Sequence, residues 1–303
     1  MTWNRVEKLY GTDNLQRLRE SHVGVVGVGS GGGFVALSLA MSGVGHFTLV
    51  DDDIIEEANI TRHVADRRYI GQNKAAAVAD LILQRNPQAT VTVIEGRIEQ
   101  HMDALDGLDL LVVGVDGENA KYLINEACLK RRVTAVYAGV YERGEGGDVV
   151  IIRPYDGPCY ACWSAEVRGS AAVRVDPATQ QLDYGMIGAQ GTLEAEPGLW
   201  IHVVKVASVQ TDIVLNELLR GTPVHEDMPG NTVLLANNFI EIVDGDISAP
   251  HTGLWVNVER DTQCLVCGDK VRLAMESRQS LSLDALAGLA GDLVEEETDQ
   301  NAG

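Results

Sequence analysis

The spacing Gly27-x-Gly29-x-x-Gly32 constrains this chain more than any other feature. It sits directly behind the apolar run VGVVGV (23–28) and opens a helical pattern over 31–42. A short β-rich run, a tight glycine turn and a helix make the first unit of a βαβ fold, and the backbone N–H groups at such a helix start can cradle a phosphate. Taken alone, the turn is equally what any tightly turned α/β protein would show. The next hundred residues carry the pattern on. HFTLVD (46–51), TVTVIE (90–95), DLLVVGV (109–115) and TAVYAGV (134–140) read as strands, with helices over 73–85 and 118–132 between them. The first of these two helices closes at Asn86-Pro87, where proline ends it. The expected fold class is α/β: a Rossmann-like, mostly parallel sheet with crossover helices.

Beyond residue 147 the periodicity changes. VVIIRP (149–154) reads as a further strand, 168–197 is polar and broken by glycine and proline, 198–220 is an amphipathic helix, and 233–258 alternates as antiparallel strands do. The expected organisation is an N-terminal helical arm (1–20), a nucleotide-binding domain (21–155), an antiparallel continuation of the same fold with cysteine knuckles and a substrate-binding part (156–280), and an acidic, disordered tail (281–303). With 45% apolar residues the chain has ample material for a core. Its 44 acidic against 24 basic side chains give a formal charge of −20, which disfavours nucleic acid and anionic lipid as partners. No stretch is apolar enough for a membrane span and the N-terminus lacks a signal-peptide core, so the cytoplasm is expected.

Asp51 ends the second strand about 20 residues beyond the glycine turn, where a carboxylate can accept hydrogen bonds from a ribose. On these residues alone a dinucleotide oxidoreductase remains open. Asn59, Arg62 and Lys74 follow within the next turns, and such cations suit a triphosphate whose leaving pyrophosphate needs neutralising rather than a hydride transfer. Asp116, at the end of DLLVVGV, is placed either as a Mg²⁺ ligand or as the N-cap of the helix behind it.

Four of the five cysteines form two pairs, Cys159-x-x-Cys162 and Cys264-x-x-Cys267, each among turn residues. Two such knuckles are the pattern of a closed, structural tetrathiolate Zn²⁺ site. The alternative, a pair of redox dithiols, needs a thioredoxin-like setting that the sequence does not offer. Cys128 falls inside the 118–132 helix as a core-facing residue.

The run from Val23 to Pro87, with its glycine loop, acid-rich segment, Asn-x-x-Arg, Gly-x-x-Lys and Asn-Pro, resembles the ThiF/MoeB/HesA family of ubiquitin-activating-type enzymes. The cysteine knuckles resemble that family's too. The resemblance implies an ATP-dependent adenylyltransferase that activates the C-terminal carboxylate of a ubiquitin-like or sulfur-carrier protein, or of a peptide, as an acyl-adenylate. It implies that Gly27, Gly29, Ser30 and Gly32 bind phosphate, that Asp51 binds ribose with Asp53 beside it, that Asn59 and Arg62 hold phosphates, and that Lys74 stabilises the transferring α-phosphate. It favours Mg²⁺ at Asp116, although Gly117 stands where the family has an asparagine, and it implies a homodimer in which Arg5, in Trp-Asn-Arg, reaches the partner's ATP. Many members carry a further cysteine on the crossover segment. This chain has none between 163 and 263, so a separate conjugating or sulfur-donor protein, or another outside nucleophile, would take the adenylate. Two alternatives remain: an enzyme similar to the tRNA threonylcarbamoyladenosine dehydratases, and a silent scaffold that binds a modifier.

Overall fold

In the computed structural model, residues 3–168, 186–187, 193–194, 198–243 and 246–276 are described. The expected tail (281–303) and most of the polar 168–197 segment lie outside them. The chain divides into two units, Met1–Arg260 and Asp261–Gly303.

In the first unit, helices α1 (Asn4–Tyr10) and α2 (Thr12–Glu20) lead into β1 (His22–Val26), α3 (Ser30–Met41), β2 (His46–Val50), α4 (Lys74–Arg85), β3 (Thr90–Ile94), β4 (Leu110–Val113), α5 (Glu118–Arg131), β5 (Thr134–Val140) and β6 (Gly146–Ile152). There follow α6 (Tyr160–Arg168), the short strands β7 (Met186–Ile187) and β8 (Leu193–Glu194), α7 (Trp200–Leu218), β9 (Thr232–Ala236), β10 (Ile240–Val243), β11 (Asp246–Ser248) and β12 (Thr252–Val256). The arm that the sequence presents as one helical stretch is two helices. Gly11, at φ +84°, ends α1 and begins α2, a backbone conformation open to glycine.

Eight strands make one sheet in the order β12-β9-β6-β5-β4-β1-β2-β3. The five from β3 to β5 are parallel, as expected, and β6, β9 and β12 add antiparallel to that edge. Strict alternation along the strands splits the core in two. Val23, Val25, Leu110, Val112, Val136, Val149 and Ile151 pack with α3, α4 and α7. Val26, Leu111, Val113, Ala135, Tyr137, Val150 and Ile152 pack with α5 and α6. Both faces of the central strands are therefore covered, which is why β1 and β4 read as unbroken apolar runs rather than as alternating ones. Helix α6 was not apparent from the sequence, where Gly157-Pro158 signals a turn. A nine-residue helix starts just after that turn and buries Tyr160 and Trp163.

In the second unit, α8 (Asp269–Glu276) follows the second cysteine pair. Gly268 N–H donates to the Cys264 carbonyl at 2.7 Å and Asp269 N–H to the Thr262 carbonyl at 2.9 Å, closing the knuckle turn. Among the described residues no helix is long and apolar enough to cross a membrane.

Candidate nucleotide site and cysteine knuckles

The chain runs outward from β1 to β2 and β3, then returns to place β4 on the other side of β1. The reversal opens a crevice beyond the carboxyl ends of β1 and β4, where open α/β sheets take their ligands. A cavity of about 290 Å³ lies there. Seven residues singled out from the sequence line it: Gly27, Gly29, Asp51, Asp53, Lys74, Asp116 and Gly117.

Close backbone approach explains two of the glycines. A Cβ on Gly32 would stand 1.9 Å from the Gly27 carbonyl oxygen, and one on Gly27, which has φ +80°, would stand 2.6 Å from the Gly114 carbonyl carbon. Nothing lies within 4 Å of the corresponding position on Gly29. The turn is thus pressed against β4 and α3 on one side and open on the other. Ser30 begins α3 immediately behind it.

Asp51 does structural work on this loop. One carboxylate oxygen accepts the Val28 N–H at 2.6 Å and the other the Asp53 N–H at 2.9 Å. Burial pushes its pKa above the ordinary carboxylate value, against these two hydrogen bonds and the Lys74 charge, which pull it down. Lys74 opens α4 and is largely covered, its Nζ 2.6 Å from Asp53 Oδ2. The helix beneath it is capped by Asn73, whose Oδ1 accepts the Ala75 and Ala76 N–H groups at 2.8 and 3.2 Å. The Asn73 amide also donates to the carbonyls of Asp51 (2.9 Å) and Asp53 (3.1 Å), tying the end of β2 to the start of α4.

Asp116 is exposed at the crevice. Gly117 stands at the N-cap of α5, with Asp116 one residue before it. Asn59, Arg62 and Arg5 do not line the cavity. The Asn59 side chain accepts the Glu56 N–H at 2.9 Å in a capping box, Arg62 is exposed three residues on, and Arg5 is exposed on α1.

Three contributors escaped the sequence reading. Arg97 lines the cavity with its Nε 3.0 Å from Asp52 Oδ2; its place just beyond β3, at the same end of the sheet, is the signal that could have found it. Asn73 carries the local signal of a helix N-cap, but its bridge to the Asp51 and Asp53 carbonyls, and the His63 contact with the Val28 carbonyl, reach far along the chain and gave none.

At the first knuckle the Cys159 and Cys162 sulfurs are 3.8 Å apart. That is the separation of two thiolates on a tetrahedral zinc with Zn–S bonds of about 2.3 Å. In the second unit Cys264 Sγ accepts the Val266 N–H at 3.4 Å, a bond that favours the thiolate form. Cys128 is buried in the core, where burial pushes its thiol up to about 12. As expected, it is a packing residue.

Residues 4–225 match the family model described as the ThiF family. The SAMP-activating enzyme E1 of Haloferax volcanii is 32% identical over 155 residues, covering 50% of this chain and 56% of that protein. The tRNA threonylcarbamoyladenosine dehydratase of Haemophilus influenzae is 33% identical over 146 residues, covering 47% and 54%. This chain thus spans about half the length of these curated relatives. In fold it is similar to MccB of E. coli, solved with ATP, with a TM-score of 0.64 at 21% identity, covering 88% of this chain and 74% of that one.

Proposed function

This chain belongs to the ThiF family, and from that premise we propose that it is an ATP-dependent adenylyltransferase that activates a terminal carboxylate. The observation that carries the reading is the single crevice gathering the glycine loop, Asp51, the Lys74–Asp53 pair and Asp116 at the reversal of the sheet. Phosphates lie against the open side of Gly29 and the N-terminus of α3. Asp51 takes the ribose. The carboxylate oxygen attacks the α-phosphorus in line, the bond to the β-phosphate oxygen breaks, and pyrophosphate leaves. Little covalent work falls to the protein. Its contribution is positioning and neutralisation: Lys74, steered by Asp53, faces the transferring phosphate, and the exposed Arg62, with Asn59 three residues before it, stands outside the cavity and would have to turn inward to meet the outer phosphates. Asp116, exposed at the crevice, would hold Mg²⁺, and the metal would supply charge neutralisation on the phosphates. Arg5 serves the site from a second copy in a homodimer.

The chemistry of the donor set supports structural zinc. The pairs Cys159–Cys162 and Cys264–Cys267 each offer two sulfur donors, and four thiolates would leave no open coordination position.

The substrate on this reading is a small ubiquitin-like or sulfur-carrier protein, the kind of partner that the name of the SAMP-activating relative suggests. With no cysteine between 163 and 263, the adenylate is handed to an outside nucleophile. The dehydratase relative, at comparable identity, supports a second reading in which the carboxylate is carried on tRNA; the charge of −20 weighs against it.

ATP–pyrophosphate exchange separates these readings when the zinc-replete protein is assayed alone, with small proteins ending in Gly-Gly, and with bulk tRNA. Exchange that requires the small protein and falls at least ~100-fold in both Lys74→Ala and Asp116→Ala is the expected result. Exchange with tRNA only establishes the second reading. Tight ATP binding with no exchange under any of these conditions counts against both and for a modifier-binding scaffold.

A further inference from the structure

His63 is buried and lies one residue beyond Arg62, yet it takes no part in the chemistry above. Its two ring nitrogens face opposite kinds of partner. Nδ1 is 3.0 Å from the Ala65 N–H, a donor, so Nδ1 must be the bare nitrogen. Nε2 then carries the proton and donates to the Val28 carbonyl at 2.8 Å. Val28 is the middle residue of Gly27-Val28-Gly29, and its N–H is already held by Asp51. The peptide groups of the glycine loop are therefore pinned from two sides, by the carboxylate at the end of β2 and by an imidazole on the segment that carries Asn59 and Arg62. Gly33 of α3 packs closely on the ring: a Cβ there would stand 3.3 Å from Nε2, a tight contact.

We propose that His63 is a positioning residue of the nucleotide site: as a neutral imidazole it joins the Asn59–Arg62 segment to the glycine loop and fixes the distance between the loop amides and Arg62. The inference rests on the ATP reading of the crevice. A protonated ring would keep its Nε2–H on the Val28 carbonyl but turn a second N–H towards the Ala65 N–H, two donors facing each other, and that repulsion displaces the ring and with it the segment it joins to the loop. The surroundings hold the ring neutral: burial lowers its pKa first, the Val28 carbonyl raises it, and the cations of Lys74 and Arg62, the charges that face it, lower it again. On the glycine loop and α3, Val28 and Gly33 approach the ring, neither of them ionisable. A glutamine can reproduce both bonds, its amide nitrogen donating and its amide oxygen accepting, without titrating.

Mg·ATP affinity measured by calorimetry on the wild type, His63→Gln and His63→Leu at about pH 8 and about pH 5.5, on either side of the unperturbed histidine pKa, tests this. At about pH 8 the glutamine variant should bind within about twofold of wild type, and the leucine variant roughly tenfold more weakly, the worth of one well-placed hydrogen bond. Between the two pH values wild type should lose more affinity than His63→Gln, which shows only the titration of ATP and of the remaining groups. Equal affinity in wild type and His63→Leu overturns the inference, as do parallel pH profiles in wild type and His63→Gln. Should His63→Leu fail to fold, the comparison of pH profiles still decides. A wild type that binds no Mg·ATP overturns the nucleotide reading, and this inference with it.

Discussion

A Cβ on Gly32 meets the Gly27 carbonyl at 1.9 Å, and one on Gly29 meets nothing within 4 Å. The same substitution should therefore have opposite readouts at the two positions. Gly32→Ala forces the strand–loop–helix packing apart, and its thermal melt should show a loss of about 1–3 kcal/mol, the usual range for overpacking. Gly29→Ala should melt close to wild type and lose ATP affinity, because it fills space that the phosphates need. At Cys128 the prediction is silence. With its thiol pushed up to about 12 by burial, it stays protonated at neutral pH. Cys128→Ala should keep full pyrophosphate exchange, and the native thiol should resist alkylation until the protein unfolds. Loss of exchange in Cys128→Ala would restore a covalent role for it.

At the scale of elements, two contacts decide how helices meet the sheet. Asn73 caps α4 and also grips the carbonyls of Asp51 and Asp53. Asn73→Ala should cost about 1–2 kcal/mol as a lost cap, and it should weaken ATP binding more than Asn73→Ser, which keeps the cap and loses the bridge. Near the C-terminus of α7, Glu217 receives both arms of Arg153, from just beyond β6, at 2.8 and 2.7 Å. Burial pushes the Glu217 pKa up, but the hydrogen bonds and charges of Arg153 and, at 3.3 Å, of Arg220 together outweigh burial and hold it below the ordinary value. A carboxyl group whose pKa is lowered on folding contributes stability above its unfolded pKa of about 4.3, and loses it as the pH falls through the folded value. Acid unfolding below about pH 4.3 should therefore be shallower in Glu217→Gln than in wild type, while at neutral pH Glu217→Ala should be destabilised by about 3 kcal/mol because Arg153 is left without its partner. Identical acid-unfolding slopes would remove Glu217 from the account.

For the whole molecule, the zinc reading predicts one equivalent of the metal per chain by elemental analysis, and a lower melting temperature after chelation at constant pH. A protein that purifies without zinc and melts unchanged with chelator would overturn it. The sequence by itself determined the parallel half of the fold, the glycine loop, Asp51, Lys74, Asp116 and the two cysteine pairs. Each of these rests on short-range order: the period of apolar residues, a fixed glycine spacing, a residue type at the end of a strand, or a Cys-x-x-Cys turn. Helix α6 escaped because its apolar residues sit behind a glycine-proline turn signal, and the two-helix arm because one glycine interrupts an otherwise helical stretch. The order of the strands, the antiparallel edge of β6, β9 and β12, and the parts played by Asn73, His63 and Arg97 were decided only by the tertiary structure. Asn73 acts on backbone 22 residues away, His63 on backbone 35 residues away and Arg97 on a side chain 45 residues away, and no local propensity encodes a hydrogen bond whose partner arrives through the folding of the sheet.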